Sequence, residues 1–138
     1  MDRAANSLDI RIERTIQATP QAAYAAWLDP EVPGTPWNAA VKLIMECKPD
    51  GLFYARMSDT PHYGRFIELA QGRLISHSWM SPYTEGQETL VTVSFIAQGH
   101  DTLMVLVHTG LPGNANGEAH REGWSYFMDR FPLQFRAA

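Results

Sequence analysis

Five histidines, one cysteine and a few acids are the side chains through which this chain could do proton or metal chemistry. His77 and His108 stand out, because each alternates with large apolar residues. Ile75, His77 and Trp79 share one side of residues 73–80, and Met104, Leu106 and His108 share one side of residues 102–109. An imidazole facing a concave interior serves as a hydrogen-bonded lining group, a general acid or base, or a metal ligand. The first reading is the simplest. A metal needs three or four converging ligands, no such set is assembled, and no metal site is expected. Glu68 is the notable acid, since it interrupts the apolar run Phe66-Ile67-Glu68-Leu69. Directed inward, it would have a raised pKa unless Arg14, Arg56 or another cation paired with it, and it could orient a polar ligand or move a proton. Directed outward, it is a surface charge. Alternation groups it with Phe66, Gly64 and His62 while Ile67 and Leu69 take the other face, so both directions stay open. His108, Glu68 and His77 are therefore the candidate catalytic groups. His62 and His100 sit beside turn residues and His120 near a helix start, and all three are expected to be solvated. Cys47 has no basic neighbour to lower its pKa and reads as a small buried or strand-edge residue.

Stronger signatures are absent. The chain has no glycine-rich phosphate loop, no G-x-S-x-G elbow, no H-E-x-x-H and no pair of cysteines. No cofactor is expected. With 11 Lys and Arg spread along 138 residues and a formal charge of −4, no basic stripe is available for phosphates, which argues against nucleic acid. The longest apolar runs fall far short of the ~20 residues that span a bilayer. A lone cysteine and the lack of a basic–apolar–small leader pattern make the cytoplasm the expected compartment. At 45% hydrophobic and 19% charged residues, the composition is that of one folded domain with one core.

The elements that must position these residues follow from periodicity. Leu8, Ile10, Ile12 and Ile16 form the apolar side of a first strand; Arg14 interrupts that side, which suits a strand mouth open to water better than a group aimed into a cavity. Thr19-Pro20 starts a short helix that Asp29-Pro30 stops. Residues 31–39, with Pro33, Gly34 and Pro36, hold a second brief helix or an irregular loop. Strands follow at 41–47 and 51–57 around Lys48-Pro49-Asp50-Gly51, at 61–69 and 73–80 around Gln71-Gly72, and at 90–96 and 102–109 around residues 98–101. Residues 110–117 form a flexible connection. In the last segment, 118–135, Trp124, Phe127, Met128 and Phe131 make one apolar stripe at helical spacing, and Pro132 should kink or stop that helix by about Phe131. Gly117 and Gly123 weaken it by roughly 1 kcal/mol each, so it should begin in earnest only near Glu118. The economical assembly is an α+β fold of one curved antiparallel sheet, closed by the long helix.

Taken together, several local motifs resemble one family. They are Ala18-Thr19-Pro20, Trp27, Trp37, Gly51-Leu52-Phe53, Gly64-Arg65-Phe66-Ile67-Glu68, Ser78-Trp79, Val91-Thr92-Val93, Thr102, His108-Thr109-Gly110 and Glu122-Gly123-Trp124. Their order and spacing resemble the START-like superfamily (SRPBCC, helix-grip or Bet v 1-like), in its branch similar to the C-terminal domain of the activator of heat shock protein 90 ATPase. The resemblance implies a single domain over residues 1–138 with a helix-grip fold: a curved sheet of about seven strands, two short helices and a long C-terminal helix over a pocket. Superfamily members include ligand carriers and polyketide cyclases.

Trp37, Phe53, Met57, Trp79, Phe95, Met104, Trp124, Phe127 and Met128, with His108, could surround one space. Such residues fill a solid core equally well, yet flat rings and thioethers also suit an apolar-ligand pocket, and the resemblance favours the pocket. The leading expectation is a protein binding a small, largely apolar molecule, more a binder than an enzyme. The alternatives are a cyclase- or hydrolase-like enzyme using the histidine and glutamate groups, and a co-chaperone-like interaction module. A homodimer is compatible with all three.

Overall fold

The computed structural model describes residues 7–136, so both ends of the domain expected over 1–138 lie outside the described residues. Strand β1 (Ser7–Ile16) buries Ile10, Ile12 and Ile16 as its alternation predicts. Arg14, on that same side, reaches out at the strand's end to the carboxylate of Asp129, 2.8 Å away and exposed. The water-open reading of that position holds.

Thr19 caps helix α1 (Pro20–Trp27) by accepting the Ala22 N–H, with proline at the first helical position. Thr35 repeats the device for the four-residue α2 (Pro36–Ala39), accepting from the Asn38 N–H. Six strands follow: β2 (Lys42–Met45), β3 (Leu52–Met57), β4 (Thr60–Ala70), β5 (Leu74–Trp79), β6 (Thr89–Gln98) and β7 (Asp101–Pro112). They form one antiparallel seven-stranded sheet in the order β1-β7-β6-β5-β4-β3-β2. The chain therefore crosses from one sheet edge to the other through α1 and α2, then meanders back strand by strand.

Strand β4 is where the sheet changes partner along its length. Its first half pairs with β3, from Met57↔Thr60 to Leu52↔Arg65; its second half pairs with β5, with a register shift between Phe66 and Glu68. That bulge inserts Ile67 and reverses the alternation beyond it. Glu68 comes to face outward, paired with Ser76 and exposed, and the inward alternative left open by the sequence is excluded. Just before the bulge, the Ser78 hydroxyl accepts the Arg65 N–H at 2.9 Å and fills a gap in the ladder. Gly64 is required there: a side chain would collide with the Phe53 ring and the Ser78 carbonyl.

Helix α3 (Ala115–Arg130) begins a turn earlier than expected, because Asn114 caps it and accepts the N–H groups of Asn116 and Gly117. It ends where proline dictates, Pro132 opening a 3₁₀ turn over Phe131–Phe135. Phe131 is fully buried, edge-on to Trp27 at 5.1 Å, and Gly34, at φ 88°, lies flat against the Phe131 backbone. The tail thus docks on the α1–α2 region. No helix among the described residues is long and apolar enough to cross a membrane.

Candidate functional site

The interior between sheet and helix is filled with side chains. Trp37 stands edge-on to Phe53 at 4.9 Å, Phe53 meets His77 at 5.2 Å, and Tyr24 closes on Phe95 at 5.7 Å. Trp37, Phe53, Phe95, Met104 and Met128 are at most 3% exposed. These five, expected to line a pocket, are core. The reason is packing: α2 delivers Trp37 and α1 delivers Tyr24 and Trp27 into the concave side of the sheet, where their rings occupy the space a ligand would need.

The two candidate catalytic histidines are part of that core. His77 is 1% exposed and donates from Nδ1 to the Ser78 carbonyl at 2.9 Å; burial holds its pKa down at about 4. His108 is sealed in a relay. The Trp124 indole N–H, which can only donate, is 2.9 Å from His108 Nδ1, so the proton of the neutral ring is on Nε2. That proton is donated to the Thr89 hydroxyl at 2.7 Å, and the hydroxyl donates onward to the Trp79 carbonyl at 2.6 Å. Burial first, then the nearby imidazoles of His120 and His77, lower the His108 pKa to about 2. With every proton committed, His108 joins β7, β6, β5 and α3 structurally. Glu68 faces away from both histidines, so the three candidate catalytic groups are not brought together.

Several clefts open to solvent among the described residues, and the one that borders the aromatic core, of about 450 Å³, lies between α3 and the β3–β4 hairpin. Met57, His62 and Trp79 form the sheet wall; His120, Gly123, Trp124 and Phe127, with Ala119, Glu122 and Tyr126, form the helix wall; Tyr83 stands at the end. Of the predicted ligand-binding residues, Met57, Trp79, Trp124 and Phe127 border it, Trp79 and Trp124 being core residues as well, each 3% exposed. His62 and His120, expected to be solvated, are not: His62 is half-buried and His120 is 9% exposed. Ser58 and Asp59 turn the hairpin so tightly that β4 begins at Thr60 and His62 already faces inward opposite Ala55. His120 lies one turn before Trp124, and extending the apolar stripe N-terminally would have found it.

Both cleft imidazoles have defined tautomers. His62 Nδ1 is 3.1 Å from the Ala55 carbonyl and His120 Nδ1 is 3.1 Å from the Asn116 carbonyl. A carbonyl only accepts, so each Nδ1 carries the proton and each Nε2 carries a lone pair. Burial, then repulsion from His120, lowers the His62 pKa; burial lowers that of His120. The end wall is fastened too. Ser81 and Thr84 form a reciprocal capping box around the 3₁₀ turn Pro82–Thr84, and the Glu85 carboxylate accepts from the side-chain amides of Asn114 and Asn116. Among the described residues two buried polar side-chain atoms lack a partner, the indole N–H groups of Trp37 and Trp79. No group of three metal-ligating side chains converges among the described residues.

Comparison with solved structures places this architecture among known ones. CalU16 from Micromonospora echinospora is 18% identical over 94% of this chain and 76% of its own, with a TM-score of 0.73. PFC0360w from Plasmodium falciparum, described as an HSP90 activator, is 22% identical over 90% of each chain, with a TM-score of 0.70. The Aha1 dimer of Colwellia psychrerythraea is 15% identical over 88% of this chain and 90% of that one, with a TM-score of 0.69. At such identities the likeness is one of fold. No curated relative matches the sequence. The family model for activator of Hsp90 ATPase homolog 1-like proteins, however, matches residues 17–133, from the cap of α1 to beyond the end of α3, and with that match the chain belongs to this family.

Proposed function

We propose that this protein binds a small, largely apolar molecule in the cleft between α3 and the β3–β4 hairpin, and not in the interior beneath the helix. The observation that carries this reading is Gly123. It lies in the middle of a sixteen-residue helix, where glycine costs about 1 kcal/mol relative to alanine, yet a β-carbon there would meet nothing within 4 Å. No packing constraint explains the glycine. It leaves the helix wall of the cleft open beside Trp124, where a ligand can lie against the backbone.

The supporting chemistry is a wall of indole, phenyl and thioether groups with a few polar atoms set into it, the usual make-up of a small-molecule site. The test is a fragment screen followed through the indole N–H resonances of Trp79 and Trp124. Fragments that shift these signals in the wild type should fail to do so in Gly123→Leu, whose side chain occupies the cleft. A screen with no responders, or responders indifferent to Gly123→Leu, would sink the reading.

A second reading concerns the outer face of the sheet. Ile44, Tyr54 and Tyr63 lie side by side across β2, β3 and β4, flanked by exposed Leu52 and Ile67, and β2 is an edge strand. An apolar row at a sheet edge favours association with another protein, a second copy included. Sedimentation of wild type against Ile44→Lys tests it: a monomer in both cases removes self-association.

A further inference from the structure

The cleft's polar groups define what kind of molecule it would take, an inference that rests on the binding reading above. His62 approaches from the sheet wall and His120 from the helix wall. Each has already given its N–H to a backbone carbonyl, Ala55 in one case and Asn116 in the other, so what each ring has left is the Nε2 lone pair. The further backbone neighbours of the rings, Thr60 for His62 and Gly117 for His120, are carbonyls that accept as well, so no protein donor is met by either Nε2. Each of the two walls therefore carries an acceptor that no protein donor meets, and the sheet wall also holds the buried, unpartnered N–H of Trp79.

The charge of the occupant is constrained as well. Among the described lining residues there is no Lys or Arg, and the one formally charged side chain is Glu122, on the exposed surface of α3. An anion would find no cation to offset the loss of its hydration. A cation would suffer the same desolvation that lowers the pKa of both imidazoles, and Glu122, being exposed, is too well screened to compensate. The lining adds the last constraint: Met57, Tyr83, Tyr126 and Phe127 set apolar and aromatic surface around the small exposed parts of Trp79 and Trp124, which suits an apolar body. From the facing acceptors, the absence of cations and the aromatic walls, we infer that the cleft is built for an uncharged hydroxylated aromatic molecule whose O–H donates to the imidazole Nε2 of His62 or His120.

A matched series on the intact protein tests this: 2-naphthol, 2-methoxynaphthalene, 2-naphthoate and 2-(aminomethyl)naphthalene, titrated at pH 7.5 by calorimetry and by the Trp79 and Trp124 indole signals. 2-Naphthol should bind about tenfold tighter than 2-methoxynaphthalene, which keeps the ring and oxygen but has no proton to donate. That preference, read as the ratio of the two affinities in the same variant, should fall toward unity in His62→Phe or His120→Phe, whichever remains folded. Equal affinity of the naphthol and its methyl ether overturns the donor inference and leaves cleft binding standing. Tighter binding of the carboxylate or the ammonium compound overturns it too. If none of the four binds, this inference falls, and the fragment screen separately decides the fate of the cleft.

Discussion

Acidification should weaken this fold well before its carboxylates are neutralised, and the two sealed histidines set the size of the effect. In the folded state the pKa of His108 is about 2 and that of His77 about 4, against 6.5 for an unperturbed imidazole. The unfolded chain therefore binds more protons than the folded one once the pH drops below about 6.5, and stability falls with pH. The contribution is complete above pH 6.5. It is lost on the way down to about 4 for His77 and about 2 for His108. Each pH unit within that window is worth about 1.4 kcal/mol per imidazole, so pH 5 removes about 2 kcal/mol for each, or about 4 kcal/mol together. That is a large part of the ~5–15 kcal/mol by which such domains are stable. Urea unfolding at constant ionic strength between pH 7.5 and 5 measures it, and imidazole nitrogen shifts identify the groups. His108 should stay in its Nε2–H form at pH 5. A stability that is flat over this range, or a His108 that titrates near 6.5, would refute the reasoning.

Three substitutions test separate parts of the same picture. Trp124→Phe leaves His108 Nδ1 buried without its donor and should cost about 2–3 kcal/mol in chemical denaturation, with the His108 tautomer no longer fixed by NMR. Gly123→Ala adds a methyl group in open space on a helix and should raise stability by up to about 1 kcal/mol, a gain of roughly 3–4 °C in Tm by calorimetry. A loss of stability there would show that the glycine serves a packing role. Gly64→Ala forces the Phe53 ring off β4 and should destabilise by about 2 kcal/mol or more, with the near-ultraviolet signal of the aromatic cluster altered.

The sequence carried the fold more fully than the site, for physical reasons that can be traced to single residues. Period-two runs, Thr19-Pro20, Asp29-Pro30 and Pro132 each act locally, so the strands, the first helix and the end of α3 were legible. Trp79 and Trp124 were also legible as partners, because strand and helix periodicity aim them at one space. Glu68 was not: its direction depends on a bulge at Ile67, and a bulge is a decision of pairing with β5 that no local pattern records. His62 was missed because its burial depends on how tightly the β3–β4 turn closes. Whether Trp37 lines a cavity or plugs it depends on where a four-residue helix docks, a tertiary matter invisible to alternation.

That docking decides between interior and cleft as the place for a ligand. To occupy the space under α3, a molecule would have to displace rings such as Trp37 and Phe53, each 2–3% exposed and each in contact with several others. Removing one large aromatic side chain from a core costs about 3–5 kcal/mol, so expelling two costs about 6–10 kcal/mol. To reach micromolar affinity, about 8 kcal/mol net, a ligand there would have to supply that displacement cost in addition. The cleft asks for no such displacement. Its walls are the outward faces of the same aromatic cluster, held in place by the Trp124–His108–Thr89 relay, so a filled core and an accessible site are compatible. If the cleft binds as proposed, the relay contributes rigidity: it fixes the Trp124 ring that a ligand would meet, and a Trp124→Phe variant that folds should lose ligand affinity even for compounds that make no hydrogen bond.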